Sequence, residues 1–276
     1  MSGTDILVVG ATGKTGRRVV EGLRRLGERP RAASRSGAVR FDWYDPSGWR
    51  AALDGVDRVY IAPPTVPDLA AKQVAAFARL AVDNGVRKLV LLSGRSARAG
   101  SERMLALERA VRVPGAEGIV LRPSVFDQNF SEGNLRQSVI GGTIRLVATG
   151  NAAVDFIDAA DIADVAVALL TAEARHEPVY ELSGPAAMSY VDAAALISKA
   201  TGMDLRVVEV EPEAWAAAAL AKGAPADAVD WSLEAADGVR AGFYATPFTG
   251  VQDVLGRAPV TFDAFVRAAA AAGAWS

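Results

Sequence analysis

The chain reads as an α/β protein, a doubly wound parallel sheet followed by a smaller, mostly helical C-terminal region. Three observations predict this. Short apolar runs of strand length alternate with segments whose apolar residues recur at helical spacing, from residue 6 to residue 182. The first run passes directly into a glycine-rich turn and then a helix. After Gly184-Pro185 the alternation gives way to alanine-rich sequence dominated by helical patterns. Strand–helix alternation of this kind builds a parallel sheet with right-handed crossovers.

The first strand is the apolar run at residues 6–9. It is followed by Gly10-Ala11-Thr12-Gly13-Lys14-Thr15-Gly16 and by a helix carrying Val19, Val20, Leu23 and Leu26 on one side. The second strand covers residues 29–34 and runs into Ser34-Arg35-Ser36-Gly37. A third is expected at residues 40–43, followed by a short helix opened by Asp45-Pro46-Ser47, where proline sits early and its missing N–H costs little. Residues 56–62 form the fourth strand, stopped by Pro63-Pro64. A helix over residues 68–84 buries Leu69, Val74, Phe77, Leu80 and Ala81 and ends at Gly85. The fifth strand, residues 88–92, leads into Ser93-Gly94. A helix over 101–112, a sixth strand over 118–122 ending at Pro123, a helical stretch within 155–170 and a strand at 179–182 complete the sheet. Beyond it come a helix over 189–201, a strand near 205–210 and helix to the C-terminus. Residues 1–184 therefore read as the sheet domain, and 185–276 as a substrate-side region packed on it, where ligands of open α/β sheets bind.

Composition narrows the function. At 276 residues, 51% hydrophobic, the chain can bury a sizeable core. A net charge of −2, with no Lys/Arg block interleaved with aromatics, argues against nucleic acid as a partner. The absence of cysteine excludes disulfides, thiolate metal sites and cysteine nucleophiles, and fits a cytoplasmic location. Asp5 interrupts the short apolar start, so no signal-peptide pattern is expected. No apolar run approaches the length of about 18 residues that a membrane span needs. The expected partner is a small molecule, with the chain a monomer or a homodimer.

The glycine loop carries the first chemical inference. Glycines let backbone approach a pyrophosphate, and the helix behind them presents unpaired N–H groups and the positive end of its dipole. Strand, loop and helix together make the start of a dinucleotide-binding unit; the plain alternative is a loop that merely turns. The end of the second strand separates NAD from NADP. No acid stands between Pro30 and Phe41, whereas Arg35 stands beside Ser34 and Ser36, so NADPH is the expected cofactor, with a solvated surface arginine as the alternative. Asp42 is placed to accept from an adenine amino group. His176, the only histidine, sits in a polar segment and reads as a loop residue. No His/Asp/Glu cluster has metal-ligand spacing, and no G-x-S-x-G elbow supports hydrolysis. Tyr60, inside a strand, reads as core. Of Trp215, Trp231, Phe243 and Tyr244, one or two are expected to face a ligand pocket.

Four segments occurring in order carry a family resemblance: residues 10–16, Ala33-Ser34-Arg35-Ser36, Leu121-Arg122-Pro123-Ser124-Val125-Phe126-Asp127-Gln128-Asn129-Phe130, and Phe156-Ile157-Asp158-Ala159-Ala160-Asp161-Ile162-Ala163. With Leu255-Gly256-Arg257-Ala258-Pro259-Val260-Thr261-Phe262 they span nearly the whole chain, and the sequence resembles the NmrA-like, atypical short-chain dehydrogenase/reductase proteins, which have a Rossmann fold. Residues 33–36, Phe41-Asp42-Trp43, Ala62-Pro63-Pro64, Asp68-Leu69-Ala70 and 88–93 are most similar to the agroclavine dehydrogenase and festuclavine synthase branch, reductases that use NADPH to reduce an iminium carbon. The resemblance implies that Gly10, Thr12, Gly13, Lys14, Thr15 and Gly16 hold the pyrophosphate and that Ser34 and Arg35 take the 2′-phosphate, with Lys14 as a second cation. It places Ala62, Pro63 and Pro64 beside the ribose and nicotinamide, with Ser93, Gly94, Pro123, Ser124 and Phe126 completing that side. Asp158 and Asp161 read as architectural.

Ordinary short-chain dehydrogenases carry Tyr-x-x-x-Lys on the helix after the fifth strand, where the tyrosine protonates an alkoxide. Here Met104 and Glu108 stand in those places, and Met104 also falls where isoflavone-reductase relatives carry a lysine. A reduction that needs no strong acid fits this departure: hydride delivery to an activated C=N, C=C or quinone-type acceptor in a medium-sized, cyclic metabolite. Ser93 is the candidate hydrogen-bond donor to substrate, with a contact to cofactor or backbone as the alternative. Asp127 and Asn129 are candidates for polar substrate contacts or for a supporting role behind them. The competing functions are a dinucleotide-sensing regulator and a non-redox cyclase or epimerase.

Overall fold

The computed structural model describes residues 5–64, 67–174 and 176–276. Residues 1–4, part of the segment read above for a leader, lie outside the described residues. In chain order the elements are β1 (Asp5–Val9), α1 (Lys14–Arg25), β2 (Arg29–Ser34), β3 (Val39–Arg40), α2 (Trp49–Leu53), β4 (Arg58–Ile61), α3 (Pro67–Asp83), β5 (Lys88–Leu92), α4 (Glu102–Arg109) and β6 (Glu117–Pro123). They continue with α5 (Gln128–Ser131), α6 (Arg136–Ile140), β7 (Thr143–Val147), α7 (Ala159–Thr171), β8 (Val179–Leu182), α8 (Tyr190–Thr201) and β9 (Arg206–Val210). The last are α9 (Pro212–Ala221), α10 (Ala226–Arg240), α11 (Gly250–Leu255) and α12 (Phe262–Ala271). None of the described helices is long and apolar enough to cross a membrane.

The chain divides into two compact units. The first contains the residues up to Pro123 with Ala159–Leu182 and Gly250–Arg257; the second contains Ser124–Asp158, Ser183–Thr249 and Ala258–Ser276. These boundaries differ from a single break after Gly184, because the chain leaves the first unit at Pro123 and returns twice.

In the first unit seven strands form one sheet in the order β3-β2-β1-β4-β5-β6-β8. Every pairing is parallel. The order reverses between β1 and β4, and the ends of strands on either side of such a reversal leave a crevice for ligands. One face is packed by Phe77 and Val74 of α3, Leu53 of α2 and Leu107 of α4 against Leu7, Val9, Val59, Leu89 and Val120. α7 covers the other face and packs along α1. Two buried cations close α7. Arg58 donates to the Leu170 carbonyl at 2.6 Å, and Lys88 donates to the Leu169 and Ala172 carbonyls at 3.0 and 2.6 Å. A helix C-terminus leaves carbonyls without partners and carries negative dipole charge, so both cations find compensation there.

β3 is shorter than the sequence pattern suggests. Phe41, Trp43, Trp49 and Phe77 assemble a ring cluster with centroid separations from 4.9 to 5.9 Å, and this draws Trp43 out of sheet register. The Asp42–Asp45 bridge then turns the chain directly into the next element.

The second unit carries a feature absent from the sequence reading, a two-stranded parallel sheet in which β7 pairs with β9 from Thr143–Arg206 to Val147–Val210. Glu209 of β9 accepts from the Thr149 N–H and hydroxyl at 2.8 and 2.6 Å and from the Gly150 and Asn151 N–H groups at 3.2 Å each. Burial pushes this carboxyl up, but those hydrogen bonds outweigh it and hold the group below its ordinary value. The core of this unit gathers Phe130, Ile144, Phe156, Ile197, Phe262, Phe265 and Trp275. α8 opens with a reciprocal cap between Ser189 and Asp192.

At Gly22, α1 lies close against α7: a Cβ built there falls 2.9 Å from Val167 Cγ2. In a free helix Gly→Ala is worth about 1 kcal/mol of stabilisation. Here Gly22→Ala is expected instead to destabilise the protein by about 1–2 kcal/mol through overpacking. Adding Val167→Ala should recover most of that loss, as read by denaturant unfolding midpoints.

Candidate active site

The site is assembled at the C-terminal ends of the first-unit strands. Gly10 leaves β1 with φ of 76°, a conformation that side-chain-bearing residues rarely adopt. Its N–H and that of Ala11 both donate to the Ala33 carbonyl, at 3.2 and 3.1 Å, which ties the loop to the end of β2. A Cβ on Gly10 would meet the Ala62 methyl at 2.8 Å, and one on Gly16 would fall onto the Gly10 carbonyl. α1 begins behind Gly13, which is extended; no side chain caps this end, and its first turn holds no acid. The first-turn amides of a helix have no intrahelical acceptor and present a positive dipole end, so this end suits an anion.

Thr12 and Gly13 are exposed and Lys14 is half-buried, on the open side of the loop. Thr15 points the other way. Its hydroxyl is buried and accepts from Tyr60 Oη at 2.8 Å, so its contribution to an anion site is the backbone N–H. Tyr60 is core, and burial holds its phenol well above the ordinary range.

Beside the loop, Ser34 closes β2 and Arg35 lies exposed at the start of the turn. The Ser34 hydroxyl is tucked under Gly37, where an added Cβ would approach it to 2.7 Å. Asp42 is half-buried; its carboxylate accepts from the Tyr44 N–H at 3.0 Å and its carbonyl from Trp49 Nε1 at 2.8 Å. Ala62 is held from both sides: its N–H donates to the Val9 carbonyl at 3.3 Å, and its carbonyl accepts from Trp43 Nε1 at 3.1 Å. This sets the course of Pro63 and Pro64, leaving Pro63 half-buried and Pro64 buried.

At the end of β5, the Ser93 N–H donates to the Leu121 carbonyl at 2.8 Å. Its hydroxyl donates to Glu108 Oε1 at 2.9 Å. Glu108 also receives Arg122 Nε and Nη2, at 2.7 and 2.6 Å, and Arg122 Nη1 reaches Glu181 Oε1 at 2.9 Å. The hydrogen bond to Glu108 outweighs desolvation and raises the Arg122 pKa further above its ordinary value. A hydroxyl has one proton to give, so Ser93 as placed does not offer a donor to a substrate. The donor role expected from sequence is thereby corrected. The sequence reading had noted Glu108 only for its position; the available signal was Arg122 and Glu181, charged residues inside apolar strands, each of which needs a partner when buried. Met104 packs against the core, its methyl 3.4 Å from where a Gly94 Cβ would lie.

The second unit holds the remaining candidates. The Ser124 hydroxyl donates to the buried Asp155 at 2.5 Å. Phe126 is half-buried and bridges to Ile157. The Asp127 N–H donates to the Ile157 carbonyl at 2.9 Å, and Asp127 is fully buried, whereas Asn129 is half-buried. Asp158 accepts from Gln128 Nε2 at 2.8 Å. Of the four aromatics among which one or two are expected to face a pocket, Tyr244 joins the second-unit core, Trp215 is half-buried, and Trp231 and Phe243 are 51% and 49% exposed. His176 is a loop residue whose N–H donates to Glu117 at 2.7 Å.

No family model matches the chain. Over 95% of its length it is 30% identical to agroclavine dehydrogenase of Claviceps fusiformis, 96% of which is covered. It is also 30% identical to NAD(P)H azoreductase of Xenophilus azovorans, over 97% of this chain and 98% of that one. The chain belongs to the NmrA-like, atypical short-chain dehydrogenase/reductase family. Among solved structures, an NADPH-dependent quinone oxidoreductase from Escherichia coli, complexed with NADPH, matches the fold with a TM-score of 0.80 at 20% identity, covering 95% of this chain and 98% of that one.

Within this family member Asp161 has a structural task. It is fully buried on α7 and receives Arg257 Nη1 at 2.6 Å, while Arg257 Nη2 reaches Asp164 at 2.8 Å. Removing the arginine takes a counter-charge away from a buried carboxylate. Arg257→Ala is therefore expected to cost about 2–3 kcal/mol, allowing for the half-exposed guanidinium. The double variant Asp161→Asn/Arg257→Ala should cost less than Arg257→Ala alone, as read by chemical denaturation.

Proposed function

We propose that the protein is an NADPH-dependent reductase acting on an activated C=N, C=C or quinone-type acceptor in a medium-sized, cyclic metabolite. The residues fit a dinucleotide: without Cβ atoms at Gly10 and Gly16 the loop closes against Ala62 and α1 starts directly behind β1, and no side chain caps the start of that helix. Thr12, Gly13, Lys14 and the Thr15 and Gly16 amides would take the pyrophosphate. Arg35, with Ser34 beside it and no competing acid at the end of β2, would take the 2′-phosphate. Asp42 would face the adenine, and Ala62, Pro63, Pro64, Gly94 and Pro123 would line the nicotinamide side.

The observation that carries the acceptor class is the end of β5. Met104 is packed into the core beside Gly94, and the one hydroxyl at this strand end already gives its proton to Glu108. Hydride supplied by the bound cofactor would therefore go to an acceptor that needs no acid: an iminium carbon, which becomes a neutral amine, or a conjugated system that spreads charge away from the reacting carbon. The protein's share is binding, orientation and exclusion of water, with Asn129 a candidate for a substrate contact and Asp127 for a supporting one. The names of the relatives, an azoreductase and a dehydrogenase of an alkaloid, support an acceptor range wider than ketones.

Two measurements test this. Loss of NADPH absorbance against iminium, enone and quinone panels should show turnover with at least one class and none with simple ketones. Tight NADPH binding without any oxidation would favour the sensor reading. In addition, Arg35→Ala should weaken NADPH by about tenfold to a hundredfold, the worth of one or two charge-assisted contacts, and leave NADH affinity within about twofold.

A further inference from the structure

Ser93, Arg122 and Glu181 form a row across the C-terminal edge of the sheet. Leu92 is in register with Leu121, and Arg122 with Glu181, so the residue after Leu92 stands opposite Arg122. Registered neighbours in a parallel ladder send their side chains to the same face, here the face covered by α4, from which Glu108 reaches in. Glu108 is 3% exposed and receives two Arg122 donors together with the Ser93 hydroxyl. Both of its oxygens are thus acceptors toward these neighbours. The single Ser93 proton is therefore committed to Glu108, and what the oxygen keeps for anything else is lone pairs.

We propose that Ser93 is an acceptor-only subsite that fixes the polarity of the bound small molecule, with Glu108 as the residue that positions it and Arg122 and Glu181 holding Glu108 in place. The group seated on Ser93 is a hydrogen-bond donor, an N–H or O–H of the substrate or a hydroxyl of the cofactor, and a ligand that brings a bare acceptor there is rejected because two lone pairs would face each other. The assignment rests on the reductase reading, which puts the reacting ligand at the end of β5.

Removing the shared acceptor should release this constraint. Glu108 Oε1 takes both the Ser93 hydroxyl and Arg122 Nε, so Glu108→Ala frees the Ser93 proton, while Arg122 keeps Glu181. The hydroxyl can then donate to a ligand as well as accept from it. Indole and benzofuran, of nearly equal shape, place an N–H donor and an oxygen acceptor at the same ring position. Calorimetric titration of each into protein saturated with NADP⁺ reads the preference without turnover. The native protein should bind indole about tenfold tighter than benzofuran, the worth of one buried hydrogen bond. Ser93→Ala should erase that preference, and Glu108→Ala should narrow it by tightening benzofuran while leaving indole unchanged, a selective gain that loss of packing alone does not produce. Ser93→Ala leaves the ion pairs intact and guards against misfolding of Glu108→Ala. A preference that follows the substitutions while NADPH affinity stays unchanged assigns the donor to the substrate. No preference, but NADPH bound about tenfold more weakly by Ser93→Ala, assigns it to a cofactor hydroxyl. Probe preference and NADPH affinity both insensitive to Ser93→Ala overturn the proposal. Failure of the reductase reading is separate: it appears as no NADPH oxidation by the native protein with any acceptor class.

Discussion

The nearness of two pieces of backbone, the Gly10 carbonyl and the Gly16 Cα, sets the geometry of the first unit's ligand-facing edge. Because neither residue carries a Cβ, α1 can start immediately behind β1 and aim its first amides back over the strand end. The same loop accepts no slack elsewhere. Gly10 and Ala11 hang on the Ala33 carbonyl, and the Ala62 methyl fills the space beside Gly10, so β1, β2 and β4 are locked together at the edge where they would meet a dinucleotide. A side chain at either glycine would separate the strand ends and misdirect the helix dipole together.

Charge burial is the second organising constraint. A parallel sheet is covered on both faces, so a charged residue in its strands needs partners inside the protein. Arg58, Lys88 and Arg122 are such residues, and they are answered in two ways. Arg58 and Lys88, at the starts of β4 and β5, spend their donors on the carbonyls that end α7. Arg122, at the opposite edge, is held between Glu108 and Glu181. The first pair stabilises the fold. The second group reaches Ser93 and sets the direction of its hydroxyl.

Much of the sheet was legible in the sequence because its signals are local. Residues 29–34 and 88–92 match their strands end to end, and the run at 179–182 matches β8. The glycine spacing located the loop, and Tyr60 read as core because it lies within an apolar run. β7 was missed because a five-residue edge strand whose exposed Arg145 and buried Ile144 alternate only briefly has a weak pattern; its identity depends on β9, about sixty residues away in sequence. β3 was overextended for the opposite reason, since Phe41-Asp42-Trp43 has strand-like composition but its rings are claimed by Trp49 and Phe77.

By itself the sequence determined the fold class, the family and the chemical character of the cradle, because glycine spacing, an unopposed Arg35 and the missing Tyr-x-x-x-Lys are properties of residue type and order. Hydrogen-bond direction was decided only in the tertiary structure. The Ser93 hydroxyl is turned to Glu108 at 2.9 Å, and the Thr15 hydroxyl meets Tyr60 at 2.8 Å, which leaves the Thr15 N–H for an anion. A hydroxyl donates or accepts according to its neighbours, and here those neighbours come from residues 15 and 45 positions away, brought together by the packing of helices on a parallel sheet.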